Sequence, residues 1–344
     1  MTQDVLTAAI ETVASRRDLS REQAAAVLDR IMAGEASEAQ IAAILIGLRT
    51  KGETEDEVAG LAETMRRLAT PVSPGRTDLV DTAGTGGGRT TFNISTTAAL
   101  IAAGAGCAVA KHGNRSATGL SGSADVLEAL GARLDLGPDG VARAIDETGF
   151  GFMFAPAHHA ATRHVVPVRK ALGVRTIFNL LGPLTNPAGA RRQLVGVADP
   201  AALDLVAGAL ARLDTDRALV VSSADGLDEI STSGPTHVVE VEGDSLRRYV
   251  VEPADVGLPV APPEAVSGGT PEENAVIVRA ILAGEPGPRR DIALLNAGAA
   301  IYAAGSVGTL AEGVDAARAA VDDGSAARTL DAYLALTAEP SLSS

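Results

Sequence analysis

Through the first 70 residues, apolar positions recur with helical spacing, and polar residues punctuate the runs clearly. Ser20-Arg-Glu-Gln23, Ser37-Glu-Ala-Gln40 and Thr54-Glu-Asp-Glu57 each fit a capping box, in which side chains at both ends satisfy orphan helix amides. The run Ala24–Met32 ends at Gly34, Ile41–Leu48 ends near Gly52, and Leu61, Met65 and Leu68 keep the period until Pro71. A short helix around Val5–Val13 brings the expectation to four. Pro71-Val-Ser-Pro74-Gly75 then reads as a linker and a domain boundary.

Beyond it, short apolar runs alternate with helical ones. Strands are expected at Asp78–Thr82, Ala108–Lys111, Phe152–Ala155, Gln193–Val197 and Ala218–Ser222. Helices are expected at Ile94–Ala103, Asp125–Leu130, Ala160–Leu172 and Ala201–Leu213. His237–Glu242 and Leu246–Val251 read as a hairpin, and the C-terminal third reads as helices at Glu272–Leu282, Asp291–Ala303, Leu310–Val321 and Ala327–Leu336. Such alternation predicts an α/β fold: a small N-terminal helical domain over residues 1–72, then a larger α/β domain over 73–344 with a mainly parallel central sheet.

Composition narrows the partners. The 344 residues carry 29 Lys+Arg against 43 Asp+Glu, a formal charge of −14, which disfavours a nucleic-acid partner. Aromatic residues are scarce and Trp is absent, so base-stacking platforms are not expected either. One cysteine, Cys107, reads as a buried apolar residue in a reducing cytoplasm. The start carries Asp4 and lacks a basic, apolar leader pattern, so no signal peptide is expected. The longest nearly apolar run, Ala98–Ala110, falls short of the roughly 20 residues of a membrane span.

Three stretches carry candidate chemistry. Gly84-Thr-Gly-Gly-Gly88 followed by Thr91-Phe-Asn-Ile-Ser-Thr96 lies between an expected strand and an expected helix. Glycines admit a bulky anion close to the backbone, and Asn93, Ser95 and Thr96 stand where free helix amides point. It is neither a Walker loop nor a dinucleotide fingerprint. Lys111-His-Gly-Asn-Arg115 follows the next strand, at the sheet edge where α/β proteins bind ligands, and Ser121-Gly-Ser123 leads into a further helix. Asp228-Glu229, in the loop Ser222–Glu229, suits a hard cation that keeps several waters; alone, such a pair in a mobile turn is usually a solvated surface feature. His158, His159 and His164 with Arg163 and Arg169 form a basic cluster without zinc-ligand spacing, and Arg169 offers a planar fork for a carboxylate.

Taken in order, G-T-G-G, T-F-N-I-S-T, K-H-G-N-R-S, S-G-S-A-D-V-L-E-A-L-G, Arg163-His164 to Pro167-Val-Arg169, the run from Arg175 to Ala188 and D-G-L-D-E resemble the anthranilate phosphoribosyltransferases of tryptophan biosynthesis across nearly the whole chain. The resemblance implies the nucleoside phosphorylase/phosphoribosyltransferase type of fold, with part of 166–187 returning to the helical domain, and a cytoplasmic homodimer. It implies transfer of the phosphoribosyl group of phosphoribosyl pyrophosphate to the amine of anthranilate with Mg2+. By the same resemblance the donor would be held by Gly84, Thr85, Gly86, Gly87, Gly88, Thr91, Asn93, Ile94, Ser95 and Thr96. The loop Lys111, His112, Gly113, Asn114, Arg115, Ser116, Ala117, Thr118 and Gly119, with Ser123, would complete that site. Gly84, Asn114, His159 and Arg169 would address the acceptor; Ser95, Asp228 and Glu229 would bind the metal. No discrete acid/base catalyst is expected, because an aromatic amine is already neutral at pH 7. The family usually has Asp where this chain has Gly88, and paired serines where it has Ala117-Thr118-Gly119, which implies altered metal dependence, donor affinity or acceptor choice. The alternatives are another aromatic acceptor on the same fold, or a non-catalytic binding relative.

Overall fold

The computed structural model describes residues 4–116 and 119–339. The N-terminal region forms α1 (Val5–Ala14), α2 (Arg21–Met32), α3 (Glu38–Lys51) and α4 (Glu55–Leu68). Ser20, Ser37 and Thr54 close the three capping boxes that the sequence predicts, each with reciprocal bonds to Gln23, Gln40 and Glu57. Glu57 does double duty: it also accepts from Leu19 N at 2.8 Å and pairs with the buried Lys51 ammonium at 2.8 Å.

The rest of the chain runs β1 (Leu79–Asp81), α5 (Ile94–Gly104), β2 (Ala108–Gly113), α6 (Ser123–Leu130), α7 (Pro138–Thr148), β3 (Phe150–Phe154), α8 (Ala155–His158), α9 (Val166–Leu172), α10 (Phe178–Leu181) and β4 (Arg192–Gly196). It continues with α11 (Leu203–Ala211), β5 (Arg217–Ser223), β6 (Thr236–Glu242), β7 (Ser245–Val251), α12 (Pro271–Leu282), α13 (Pro288–Ala303), α14 (Leu310–Asp322) and α15 (Ser325–Thr337). The strands form one sheet in the order β3-β2-β1-β4-β5-β6-β7. From β3 to β5 every pair is parallel, and β5, β6 and β7 pair antiparallel. The architecture is a small N-terminal helical domain with a larger α/β domain on a mainly parallel sheet.

Two local readings change. Helix α7 was not expected; Pro138 in its first turn supplies a preset φ where no N–H is needed. The single helix expected over Ala160–Leu172 is a 3-10 turn at Ala160–His164 followed by α9, with Pro167 in the first turn of the new helix. A proline ring inside a continuous helix would clash with the carbonyl one turn back, so the chain restarts there.

Helix α5 is wrapped by apolar neighbours: Ala98 to Ala102 are fully buried among α13, α14 and α15. On the other face a single apolar cluster runs from Leu28, Ile44 and Val58 of the helical domain through Val168, Phe178 and Leu184 to Val195, Val220 and Val239 of the sheet. Helix α9 packs on α3, and α11 packs between α4 and the β5–β6 face. No helix among the described residues is long and apolar enough to cross a membrane.

Candidate active site

Strand β1 pairs with β2 on one side and with β4 on the other. The chain therefore leaves β1 in one direction and later comes back on its far side, and the crevice beyond the carboxyl ends of these strands is the ligand position of an open α/β sheet. Three loops enter it, those following β1, β2 and β5.

The first loop is the glycine stretch. Gly86 and Gly87 take φ values of +67° and +84°, a backbone conformation that L side chains rarely adopt. Gly86 N donates to Asp228 Oδ2 at 2.9 Å, and Thr85 N donates to the Gly196 carbonyl at 2.8 Å. A Cβ on Gly84 would stand 3.0 Å from Asp228 Oδ2, one on Gly88 2.9 Å from Asp228 Oδ1, and one on Gly196 would overlap the Asp228 carbonyl. The missing side chains let the loops close on one another.

Asp228 and Glu229 are not on a solvated surface turn. Both are half-buried, packed among protein atoms at the crevice. Burial raises the Asp228 carboxyl above its ordinary range, against the Gly86 N–H and the charges of Arg175 and Lys111. Glu229 is pushed well above its ordinary value by burial and by Asp228, opposed by Lys111 and the Ser95 N–H. Lys111 is buried, its ammonium 3.0 Å from Thr82 Oγ1 and 3.4 Å from Ser95 Oγ. Burial lowers its pKa, while Asp81, Glu229 and Asp228 hold it up. Three carboxylates thus share one ammonium, and a further cation would relieve them. Two carboxylates and the Ser95 hydroxyl form an all-oxygen donor set, which fits a hard divalent ion. Among the described residues no group of three or more His, Cys, Asp or Glu could hold a metal, so its remaining positions would fall to water and substrate oxygens.

Several expected donor contacts are already occupied. Asn93 stands at the N-cap of α5 without a side-chain cap bond; its Oδ1 accepts from Ser121 Oγ and Asn274 Nδ2, both at 2.9 Å, and its Nδ2 donates to Ser121 O at 3.1 Å. It ties three segments together, and the donors left at this helix start are the hydroxyls and amides that follow it. Ile94 is buried in the core and its N–H is spent on the Phe92 carbonyl. Thr91 is half-buried beside it, and the Thr96 hydroxyl is buried without a partner among the described residues. In the second loop, Arg115 is ion-paired to Asp125 at 3.0 Å and to Glu128 at 2.5 Å. Asp125 also takes the Ser116 and Gly122 N–H groups at 3.0 and 2.8 Å, filling the cap position beside Ser123. Asn114 is exposed, Gly113 lies against Phe152 and Ser123, and Gly119 N donates to Ser116 Oγ at 2.7 Å. Ala117 and Thr118 lie outside the described residues.

His112 and His159 meet with ring centroids 5.1 Å apart, each with a buried Nε2 lacking a partner among the described residues. Burial and mutual repulsion lower His112 to about 3, and burial with the neighbouring His158 lowers His159 to about 4, so both imidazoles are neutral. Arg169, on α9, stacks over the Phe178 ring at 5.5 Å, and among the described residues no carboxylate lies within ion-pair distance. Burial disfavours its charge, leaving a cation without a counter-ion.

Four positions of the site were not expected from the sequence. Asp81, fully buried, accepts from Thr82 N, His112 N and Asn186 Nδ2 at 2.7, 3.1 and 2.8 Å. Asn186 itself, Gly196 and Arg175 are the others; Arg175 Nη2 donates to the Gly86 carbonyl at 2.9 Å. An aspartate ending the apolar run Leu79-Val80 was the one signal available, since a charge there needs a partner.

Comparison with known proteins gives the chain's relatives. Residues 7–69 match the model of a glycosyl transferase family helical bundle domain, and residues 76–327 match that of the same family's a/b domain. The chain is 55% identical to anthranilate phosphoribosyltransferase of Symbiobacterium thermophilum, over 94% of this chain and 95% of the relative. It is 52% identical to that of Moorella thermoacetica, over 96% and 98%. The crystal structure of anthranilate phosphoribosyltransferase from Thermus thermophilus superposes with a TM-score of 0.92 at 47% identity, covering 96% of this chain and 99% of that one. The Saccharomyces cerevisiae enzyme in complex with PRPP (phosphoribosyl pyrophosphate) and Mg superposes with a TM-score of 0.88 at 26% identity, covering 98% of each chain.

Proposed function

The chain belongs to the anthranilate phosphoribosyltransferase family, and from that premise we propose how its crevice divides the work. It is a pentosyltransferase of tryptophan biosynthesis: it moves the phosphoribosyl group of phosphoribosyl pyrophosphate to the amine of anthranilate, giving N-(5-phosphoribosyl)anthranilate and pyrophosphate, with magnesium as cofactor. The C1–O bond breaks with its electron pair leaving on the diphosphate. The amine lone pair forms the C1–N bond, and the amine then loses a proton.

In our reading the glycine turn Gly84–Gly88, with Thr91, Ser95 and Thr96, receives the donor diphosphate. Lys111 supplies fixed positive charge at the strand end, held by Thr82 and Ser95. Such preorganised charge favours the leaving group as it develops. Ser95, Asp228 and Glu229 would hold magnesium, whose charge would neutralise the departing diphosphate. Arg169, with no counter-ion among the described residues, takes the anthranilate carboxylate, with Asn114, Gly84 and the neutral His159 beside the acceptor. Placing the amine behind C1 then does most of the remaining work, since no strong base is required. The observation that carries this assignment is the meeting of Lys111 and the Asp228–Glu229 pair at the start of α5. We further propose a cytoplasmic homodimer formed through the helical domain; the single, buried cysteine suits a reducing compartment.

The test is direct. Purified protein with phosphoribosyl pyrophosphate and Mg2+ is expected to consume anthranilate, read as loss of its fluorescence, and to stop on chelation. Pyrophosphate release with other aromatic acids but not anthranilate would move the acceptor; silence with all of them would make the chain a binding relative. Sedimentation velocity tests the dimer.

A further inference from the structure

We propose that Arg175 is a positioning residue of the donor site, tying the segment that carries Arg169, and through Arg49 the helical domain, to the glycine turn that aims Asp228. This rests on the reading above, in which the glycine turn serves the donor and Asp228 the metal. Three contacts form the tie. Arg49 Nη1, at the end of α3, donates to the Arg175 carbonyl at 2.6 Å; Arg175 Nη2 donates to the Gly86 carbonyl at 2.9 Å; and Gly86 N donates to Asp228 Oδ2 at 2.9 Å. The partners are 126, 89 and 142 residues apart, so no link is a by-product of local chain geometry.

Two features make the contact specific. A Cβ on Gly87 would overlap Arg175 Nη2, so the end of the guanidinium reaches the turn at this place because that residue is glycine. Arg175 is also exposed and has no carboxylate within ion-pair distance among the described residues, yet its fork is committed to a backbone carbonyl. Ordering a long exposed side chain costs rotamer entropy, which a solvated surface arginine would keep. The consequence lies in the turn. With the Gly86 carbonyl held by Arg175 and its N–H by Asp228, the next two amides, of Gly87 and Gly88, take no partner among the described residues. Successive backbone N–H groups in such a turn are an anion-binding arrangement. Arg175 thereby fixes the Gly86–Gly87 peptide plane, which aims the Gly87 amide, and holds in place the residue whose own N–H, in the preceding plane, binds the metal carboxylate. Because the same segment carries Arg169 six positions earlier, acceptor-side and donor-side groups are joined through a short stretch of chain.

The experiment compares wild type, Arg175→Ala, Arg175→Lys and Arg49→Ala by steady-state kinetics at saturating Mg2+, and by amide hydrogen exchange of the peptide covering residues 84–92 without ligands. Arg175→Ala is expected to raise KM for phosphoribosyl pyrophosphate about tenfold, the worth of one charged hydrogen bond. It should leave KM for anthranilate within about twofold, and exchange in the peptide should quicken by a similar tenfold factor while the rest of the chain is unchanged. Arg175→Lys should recover most of the donor affinity, because a single N–H donor meets the carbonyl. Arg49→Ala should shift in the same direction by less. Unchanged donor KM and unchanged exchange overturn the tie while wild-type turnover keeps the transferase reading intact. A raised donor KM with unaltered exchange overturns it too, since the guanidinium would then touch the donor directly. Equal losses for both substrates with a lowered melting temperature reduce Arg175 to a general structural role and overturn positioning. A wild type inactive with anthranilate fails the transferase reading separately; there the exchange readout alone decides, faster exchange supporting the tie and unchanged exchange overturning it.

Discussion

Lys111 concentrates the electrostatics of the crevice in one side chain. It is buried, donates to Thr82 and Ser95, and balances Asp81, Asp228 and Glu229. Replacing it by Met removes the only fixed cation buried among those three carboxylates in the described residues, and kcat/KM for the donor should fall about 100-fold or more. Steady-state kinetics with circular dichroism as a fold check would decide; near-normal turnover would remove Lys111 from the site. Gly196→Ala forces a Cβ into the Asp228 carbonyl, backbone against strand end, where neither side can yield cheaply. Activity should drop more than about tenfold, since small misplacements of reacting groups are costly, with a smaller effect on melting. Gly88→Asp is a gentler change in position but a stronger one in charge: its Cβ meets Asp228 Oδ1 and the Gly226 carbonyl at 2.9 Å each, and a further carboxylate joins the pair. The Mg2+ dependence of the rate should change; an unaltered profile would show that residue 88 does not influence the metal.

The two neutral imidazoles give a pH prediction at the same scale. His112 and His159 titrate near 3 and 4 in the folded chain and near 6.5 when unfolded, so the unfolded state binds more protons between those values. Their contribution to stability is full above pH 6.5 and is lost as pH falls towards the folded values. Between pH 7 and pH 5 that loss is roughly 2 kcal/mol per imidazole. Stabilities from urea unfolding should fall across this range by that amount more for wild type than for His159→Gln, which lacks the titrating ring; parallel curves would mean the ring is not held neutral.

At the scale of elements, the helical domain was the most legible part of the chain. Its capping boxes are closed by residues three apart, so local sequence suffices to place the helix starts. Thr54→Ala should cost about 1 kcal/mol, seen as a fall of about 2 °C in melting temperature. The strands were legible as apolar runs, and the hairpin β6–β7 by its turn at Gly243-Asp244. Prolines misled in both directions: Pro138 opens an unforeseen helix and Pro167 divides a foreseen one. A proline is accommodated in the first turn of a helix and breaks one where its ring would meet the carbonyl one turn back, so its effect depends on where the helix begins. The loop with Asp228 and Glu229 shows the same limit, since its burial is imposed by the glycine turn and Gly196 rather than by its own residues.

At the scale of the molecule, one apolar cluster joins the helical domain to a face of the sheet through α9, α10 and α11. A chain beginning at residue 73 would expose that shared core, including the surfaces under Val168, Phe178 and Leu210. It is expected to be insoluble or to bind hydrophobic dyes, and a soluble, cooperatively melting fragment would show instead that the sheet's core is self-sufficient.

The sequence by itself determined the fold class, the three N-terminal helix caps and most of the alternation of strands and helices, and it marked the Gly84–Thr96 and Lys111–Ser116 stretches as candidate binding loops. These depend on short-range rules: a period of apolar positions, a cap three residues from its partner, a glycine where a side chain would intrude. Tertiary structure alone decided that Asn93 and Arg115 spend their polar groups within the protein, that Asp81 and Asn186 brace the strand ends, and that Arg175 reaches the glycine turn. Each of those outcomes depends on which distant group arrives first at a hydrogen-bonding site, and that competition is settled only when the β1–β4 crossover brings the loops into one crevice.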